Sequence, residues 1–157
     1  MNRETVDLYG QVKQLCEYFE GMAEERELQL VNHVEGCLQV DPQLLRRALA
    51  NLLANALRHA TPGSAVTVAS QLRDGRLEVS VHNLGEPIGA EHLPRLFERF
   101  YRCDPSRARP GDPGGLGLAI VRSIMQLHGG SVRVESGEQG TRFILVFPLA
   151  ERSHRKR

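Results

Sequence analysis

The stretch from Asp41 to Gly63 constrains this chain more than any other. Asp41-Pro42 is a helix start, because a carboxylate caps free N–H groups and proline has no N–H to leave unpaired at the first helical position. Thr61-Pro62-Gly63 is a stop. Between them, on a helix turning about 100° per residue, Leu45, Leu49, Leu52, Leu53 and Ala56 share one side. Asn51, Asn55 and Arg58 share the opposite side, with His59 at its edge. Each asparagine costs roughly 0.5–0.7 kcal/mol of helix propensity relative to alanine. Either the stripe is an ordinary solvated face, or it has a use.

The segments around this helix follow the same logic. Residues 7–26 carry Leu8, Val12, Leu15, Cys16, Phe19 and Met22 at spacings of three and four, which predicts a helix. Residues 28–34 alternate as a strand, and 38–40 are a short second strand. Residues 65–72 and 76–83 predict two strands joined by Arg73-Asp74-Gly75, with Asp-Gly as the hairpin turn. Residues 84–114 are irregular, with short helical pieces around 91–100. A helix is expected from Gly115 or Leu116 to His128, ended by Gly129-Gly130, and residues 131–135 and 141–147 close the chain as a hairpin around 136–140. Strands that arrive in hairpin pairs between helices predict an α+β sandwich, a mixed sheet with helices on one face. Residues 104–114, DPSRARPGDPG, hold three prolines and two glycines. A long loop of that composition is either a functional lid or a tolerated surface insertion.

The 157 residues suffice for one domain, and 41% hydrophobic with 25% charged residues mark a globular chain. A formal net charge of +1 gives no general pull toward nucleic acid or membrane. The basic run at 151–157 reads as a disordered tail. Cys16, Cys37 and Cys103 are scattered, so neither a disulfide framework nor a zinc site follows, and a reducing, cytoplasmic setting is expected. No apolar run reaches the roughly 18–20 residues of a membrane span, and the first residues lack a signal-peptide core.

Four segments carry chemistry. The Asn51/Asn55/Arg58 stripe suits a metal–polyphosphate: an amide carbonyl ligates Mg²⁺ without adding charge, and a guanidinium one turn on pairs with phosphate. Asn83-Leu84-Gly85-Glu86-Pro87-Ile88 follows a strand, and Gly85 permits a close approach. Phe97-Glu98-Arg99-Phe100-Tyr101-Arg102, with Arg107 beyond, groups three aromatics and three arginines in a chain that is only 5% aromatic. Gly114-Gly115-Leu116-Gly117-Leu118 opens a helix with glycines, so backbone N–H groups and the positive dipole end are open to an anion. No Gly-Lys-Ser/Thr follows, so this is not a Walker A loop.

In this order the segments resemble the catalytic, ATP-binding domain of sensor histidine kinases, part of the Bergerat-fold ATPases that include gyrase-type topoisomerases and mismatch-repair ATPases. Asn51–His59 resembles the N box, Asn83-x-Gly85-x-Pro87 the G1 box, Phe97–Arg102 the F box, Gly115–Leu118 the G2 box, and Gly140-Thr141 the last glycine motif. The resemblance implies a two-layer α/β sandwich, with residues 1–150 as the catalytic domain and a long ATP lid at about 102–114. It implies ATP and Mg²⁺ as cofactors, with Asn55 the metal ligand and Asn51 supporting the phosphates. Arg58 and His59 would lie near phosphates and ribose. Arg102 and Arg107 would reach the terminal phosphates, making Asn55, Arg58, Arg102 and Arg107 the catalytic set. Gly115, Leu116, Gly117 and Leu118 would offer backbone N–H groups. Asn83, Gly85, Ile88, Phe97 and Thr141 would complete the nucleotide pocket, Thr141 under the adenine.

The sequence departs from that family at two positions. The G1 box usually opens with Asp and has a second Gly, where this chain has Asn83 and Pro87. Asn83 can still accept a hydrogen bond from the adenine amino group, without charge, and Pro87 removes a backbone donor. The NxGxP form with LPRLFERFYRCDPSR resembles the metal-responsive (copper, silver or zinc) branch. None of His33, His59, His82, His92, His128 and His154 stands in a His-Glu-x-x-x-Pro context. The resemblance therefore implies phosphate donation to a histidine on a separate dimerisation domain, in a membrane-anchored homodimer that signals to a response regulator, with no nucleic acid partner. A nucleotide-binding regulatory module without phosphotransfer, and a Bergerat-fold serine kinase or ATPase, are the alternatives.

Overall fold

The computed structural model describes residues 1–101 and 117–149. In chain order it forms β1 (Glu4–Asp7), α1 (Leu8–Tyr18), α2 (Glu20–Glu25), β2 (Gln29–His33), β3 (Cys37–Val40) and α3 (Pro42–His59). Then come β4 (Ala65–Arg73), β5 (Arg76–Asn83), a 3-10 turn at Leu93–Arg95, α4 (Gly117–Leu127), β6 (Ser131–Gly137) and β7 (Gly140–Pro148). The main sheet has five strands in the order β2-β4-β5-β7-β6, with β2 parallel to β4 and the other pairs antiparallel. The α+β sandwich with a mixed sheet and helices on one face is what forms. The expected lid at 102–114 and the basic tail at 151–157 lie outside the described residues.

Helix α3 is the hinge of the design. The Asp41 carboxylate accepts from the N–H groups of Gln43 (3.0 Å) and Leu44 (3.2 Å), and Pro42 opens the helix. Leu45, Leu49, Leu52, Leu53 and Leu57 are at most 1% exposed. At roughly 1.5–3 kcal/mol per buried leucine, this face far outweighs the propensity cost of the two asparagines. It packs over β4 and β5 and beside α1 and α4. On β5 the alternation is regular: Leu77, Val79 and Val81 are buried, while Glu78, Ser80 and His82 face the other side. That outer face is neutralised internally, Glu78 accepting from Arg133 Nη1 at 3.2 Å and Nη2 at 3.4 Å. Asp74 (φ 52°) and Gly75 (φ 75°) both take the left-handed conformation that a two-residue hairpin turn requires.

Two elements differ from the sequence expectation. β1 was not foreseen: four residues with one buried side chain, Val6, carry too little periodicity, and the strand exists because β3 pairs with it. The helix expected over 7–26 breaks at Phe19, whose ring turns into the core at 6% exposure and meets Tyr18 edge-on at 5.0 Å.

His128 ties the end of α4 to the start of α3. Its Nε2 accepts from the Asp41 N–H at 3.1 Å, so Nδ1 carries the proton and donates to the Ile124 carbonyl at 2.9 Å. At 3% exposure the ring is buried edge-on to Phe147. Replacing it by phenylalanine keeps an aromatic ring but removes both hydrogen bonds, and urea unfolding of His128→Phe should show a loss of about 1–3 kcal/mol. The Asp41 carboxylate is held below the ordinary carboxylate range by the N–H groups of Asn2, Leu44 and Gln43. Its contribution is present above the unfolded-state value of about 4 and is lost as pH falls through the lower folded value. Asp41→Asn, which still caps, should therefore lose less stability than the native chain between neutral pH and about pH 3.

Candidate functional site

The inner face of the sheet ends in polar residues where β5 stops and β7 begins. Asn83, the last residue of β5, is 3% exposed, and Thr141, its register partner on β7, is 6% exposed. The Asn83 amide donates from Nδ2 to the Leu84 carbonyl at 3.1 Å. Thr141 Oγ1 lies 2.8 Å from Ser136 Oγ, which accepts the Ile88 N–H at 2.9 Å. These bonds draw the loop after β5 over the end of the sheet.

Two glycines make the approach possible. A Cβ on Gly85 would stand 2.5 Å from the His59 carbonyl oxygen and 3.2 Å from Asn83 Nδ2. The loop therefore lies against the last turn of α3, where the Thr61 N–H donates to the Leu84 carbonyl at 2.9 Å. Gly140 has φ +104°, and a Cβ there would meet the Asn83 carbonyl oxygen at 2.4 Å.

The polar stripe of α3 borders this end of the sheet. Asn51 and Asn55 are half-buried and Arg58 and His59 exposed, on the side away from the leucines. α4 begins beside the stripe: a Cβ built on Gly117 would lie 3.7 Å from Asn51 Oδ1. Neither asparagine side chain has a hydrogen-bond partner among the described residues. Ile88 and Leu118 pack against the core from the rim. Phe97, 9% exposed, stands edge-on to Phe143 with centroids 6.0 Å apart, so it props the wall from within.

Thus Asn51, Asn55, Arg58, His59, Asn83, Gly85, Ile88, Gly117, Leu118 and Thr141, from four separate segments, come to one end of the sandwich, with Phe97 behind them. Arg102, Arg107, Gly115 and Leu116 lie outside the described residues. Sequence reasoning passed over Ser136 by placing it in the turn. The signal was available: Val132, Val134 and Ser136 are spaced by two, and all fall within β6. Of the site side chains named here Arg58 is the one with a fixed charge, so a bound anion would meet its guanidinium, amide N–H groups and the described start of α4.

Residues 40–151 match the model of the histidine kinase-, DNA gyrase B- and HSP90-like ATPases, and the chain belongs to that family. It is 48% identical over 147 residues to the sensor histidine kinase CusS of Escherichia coli O157:H7, covering 93% of this chain and 30% of that protein. It is 52% identical over 112 residues to the probable sensor kinase SilS of Salmonella typhimurium, covering 71% of this chain and 22% of that one. Among solved structures, full-length ShkA in complex with AMPPNP matches with a TM-score of 0.81 at 29% identity, over 96% of this chain and 32% of that one. The chain spans about a third or less of the length of the curated relatives it matches.

The close approach at Gly85 sets a test of the geometry. Gly85→Ala forces the loop off α3 and should cost about 1–3 kcal/mol in urea unfolding, as overpacking does. Gly21→Ala, in α2 with nothing within 4 Å of the new methyl, should instead stabilise by about 0.5–1 kcal/mol.

Proposed function

We propose that the chain binds Mg²⁺–ATP at this end of the sandwich and donates the γ-phosphoryl group to a phosphoacceptor histidine on a separate dimerisation domain of the same kinase. The observation that carries this reading is the start of α4 beside Asn51, on a stripe that continues to Asn55 and Arg58. A helix start offers N–H groups and positive partial charge to phosphate, and the stripe offers neutral carbonyl oxygens one turn apart. Neutral carbonyl oxygens suit a cation that shares its shell with phosphate oxygens and water, as Mg²⁺ does.

In this reading Asn55 would hold Mg²⁺, which would supply charge neutralisation at the phosphates. Asn51 orients the phosphates, and Arg58 with His59 borders phosphate and ribose. Asn83 and Thr141 face the adenine, with Gly85, Ile88 and Phe97 forming the wall. Arg102 and Arg107, on the lid at 102–114, and the backbone of Gly115–Leu118 complete the phosphate contacts. The acceptor imidazole attacks the γ-phosphorus, the bond to the bridging oxygen breaks, and ADP leaves. Catalysis by this chain is positioning and charge stabilisation.

Residues 1–150 form the domain, with 151–157 as its tail. The whole protein is a membrane-anchored homodimer of the metal-responsive branch, with this part in the cytoplasm, passing phosphate to a response regulator. The NxGxP form and the similarity to CusS support that placement. Among the described residues no helix is long and apolar enough to cross a membrane.

Labelled ATP, incubated with the chain and the phosphoacceptor domain of the same kinase, should place acid-labile label on a histidine of that domain. Tight binding without transfer would support the regulatory module instead. Asn55→Ala should abolish Mg²⁺-dependent nucleotide binding in a calorimetric titration, and unchanged affinity removes Asn55 from the site.

A further inference from the structure

Asn83 on β5, Thr141 on β7 and Ser136 on β6 form one row across three neighbouring strands. The next row on the same face is Val81, Phe143 and Val134, so the polar row is where the core meets the proposed site. Because Asn83 Nδ2 is committed to the Leu84 carbonyl, Oδ1 is the end left to accept, and it has no partner among the described residues. Ser136 has two: the Ile88 N–H at 2.9 Å and Thr141 Oγ1 at 2.8 Å.

A hydroxyl carries one hydrogen and two acceptor sites. Ile88 takes one acceptor site of Ser136; between Ser136 and Thr141 either hydroxyl can donate. With Ser136 donating, the hydrogen of Thr141 turns away from it. We propose that Ser136 is a positioning residue for base recognition: it polarises Thr141, so that Asn83 Oδ1 and the Thr141 hydroxyl stand side by side as acceptor and donor. That order fits a 6-aminopurine, whose amino group donates and whose N1 accepts. A 6-oxopurine offers the reverse, an accepting O6 and a donating N1–H. Asn83 is neutral, so hydrogen-bond polarity, and not charge, makes the distinction. Ser136 thus acts through Thr141, and the inference rests on the nucleotide reading.

The test compares Mg²⁺–ATP and Mg²⁺–GTP affinities of the chain with those of Ser136→Ala and Ser136→Thr. The native chain should prefer ATP. Ser136→Ala should bind ATP about three- to tenfold more weakly, the range for one neutral hydrogen bond, while GTP binding changes little. Ser136→Thr keeps the hydroxyl and a strand-favouring shape, and should restore the preference. Equal weakening of both nucleotides, unchanged ATP binding in Ser136→Ala, no recovery in Ser136→Thr, or a native preference for GTP each overturns the inference while leaving nucleotide binding intact. A native chain that binds neither nucleotide overturns the nucleotide reading itself. If Ser136→Ala lacks a cooperative thermal transition, Ser136→Cys, near-isosteric with a weaker donor, supplies the same comparison.

Discussion

Burial of one helix face sets the rest of this structure. The leucines of α3 lie on the inner side of the sheet and are almost wholly removed from water. Because side chains on a helix are rigidly phased, fixing Leu49, Leu52 and Leu53 inward also fixes the direction of Asn51 and Asn55. The asparagines are poor helix formers, yet they stand on a helix that forms through packing on its other side. Apolar packing thereby aims a polar stripe with little freedom to rotate.

The second constraint is close backbone approach. The loop after β5 reaches the last turn of α3 only because Gly85 has no side chain, and β7 reaches the Asn83 carbonyl only because Gly140 has none. Each contact brings a different segment to the edge of the stripe. Hydrogen bonds from Ile88 to Ser136 and between Ser136 and Thr141 then hold the loop and the β6–β7 hairpin together. His128 does similar work at the far end, joining the close of α4 to the cap of α3. The close of α4 is thereby fixed against the start of α3.

Much of this was legible in the sequence, for identifiable reasons. Helix α3 announces itself through Asp41-Pro42, its leucine period and Thr61-Pro62-Gly63, all local signals. The β4–β5 hairpin follows from alternation around Asp74-Gly75, and the structure gives both residues positive φ. Strand β1 was not legible, because its four residues gain their conformation from β3, about thirty residues away in sequence. The break at Phe19 was not legible either, since the buried positions Leu15, Phe19 and Ala23 keep a helical spacing straight through it and Gly21 falls inside α2. Ser136 was hidden for a third reason: a serine before a turn looks like part of the turn until the ladder is known to continue through Gly137.

By itself the sequence determined which faces are apolar, where helix α3 and the β4–β5 hairpin start and stop, and the order of the polar and glycine-rich segments. Those are short-range properties, set by periodicity, capping and the limits that proline and glycine place on the backbone. The tertiary structure alone decided that Asn51 meets the start of α4, that Gly85 lies under the carbonyl of His59, and that Asn83, Thr141 and Ser136 share one row. These are long-range pairings. They depend on strand order and register, which arise when separate segments bury their apolar faces together, and no local pattern encodes them.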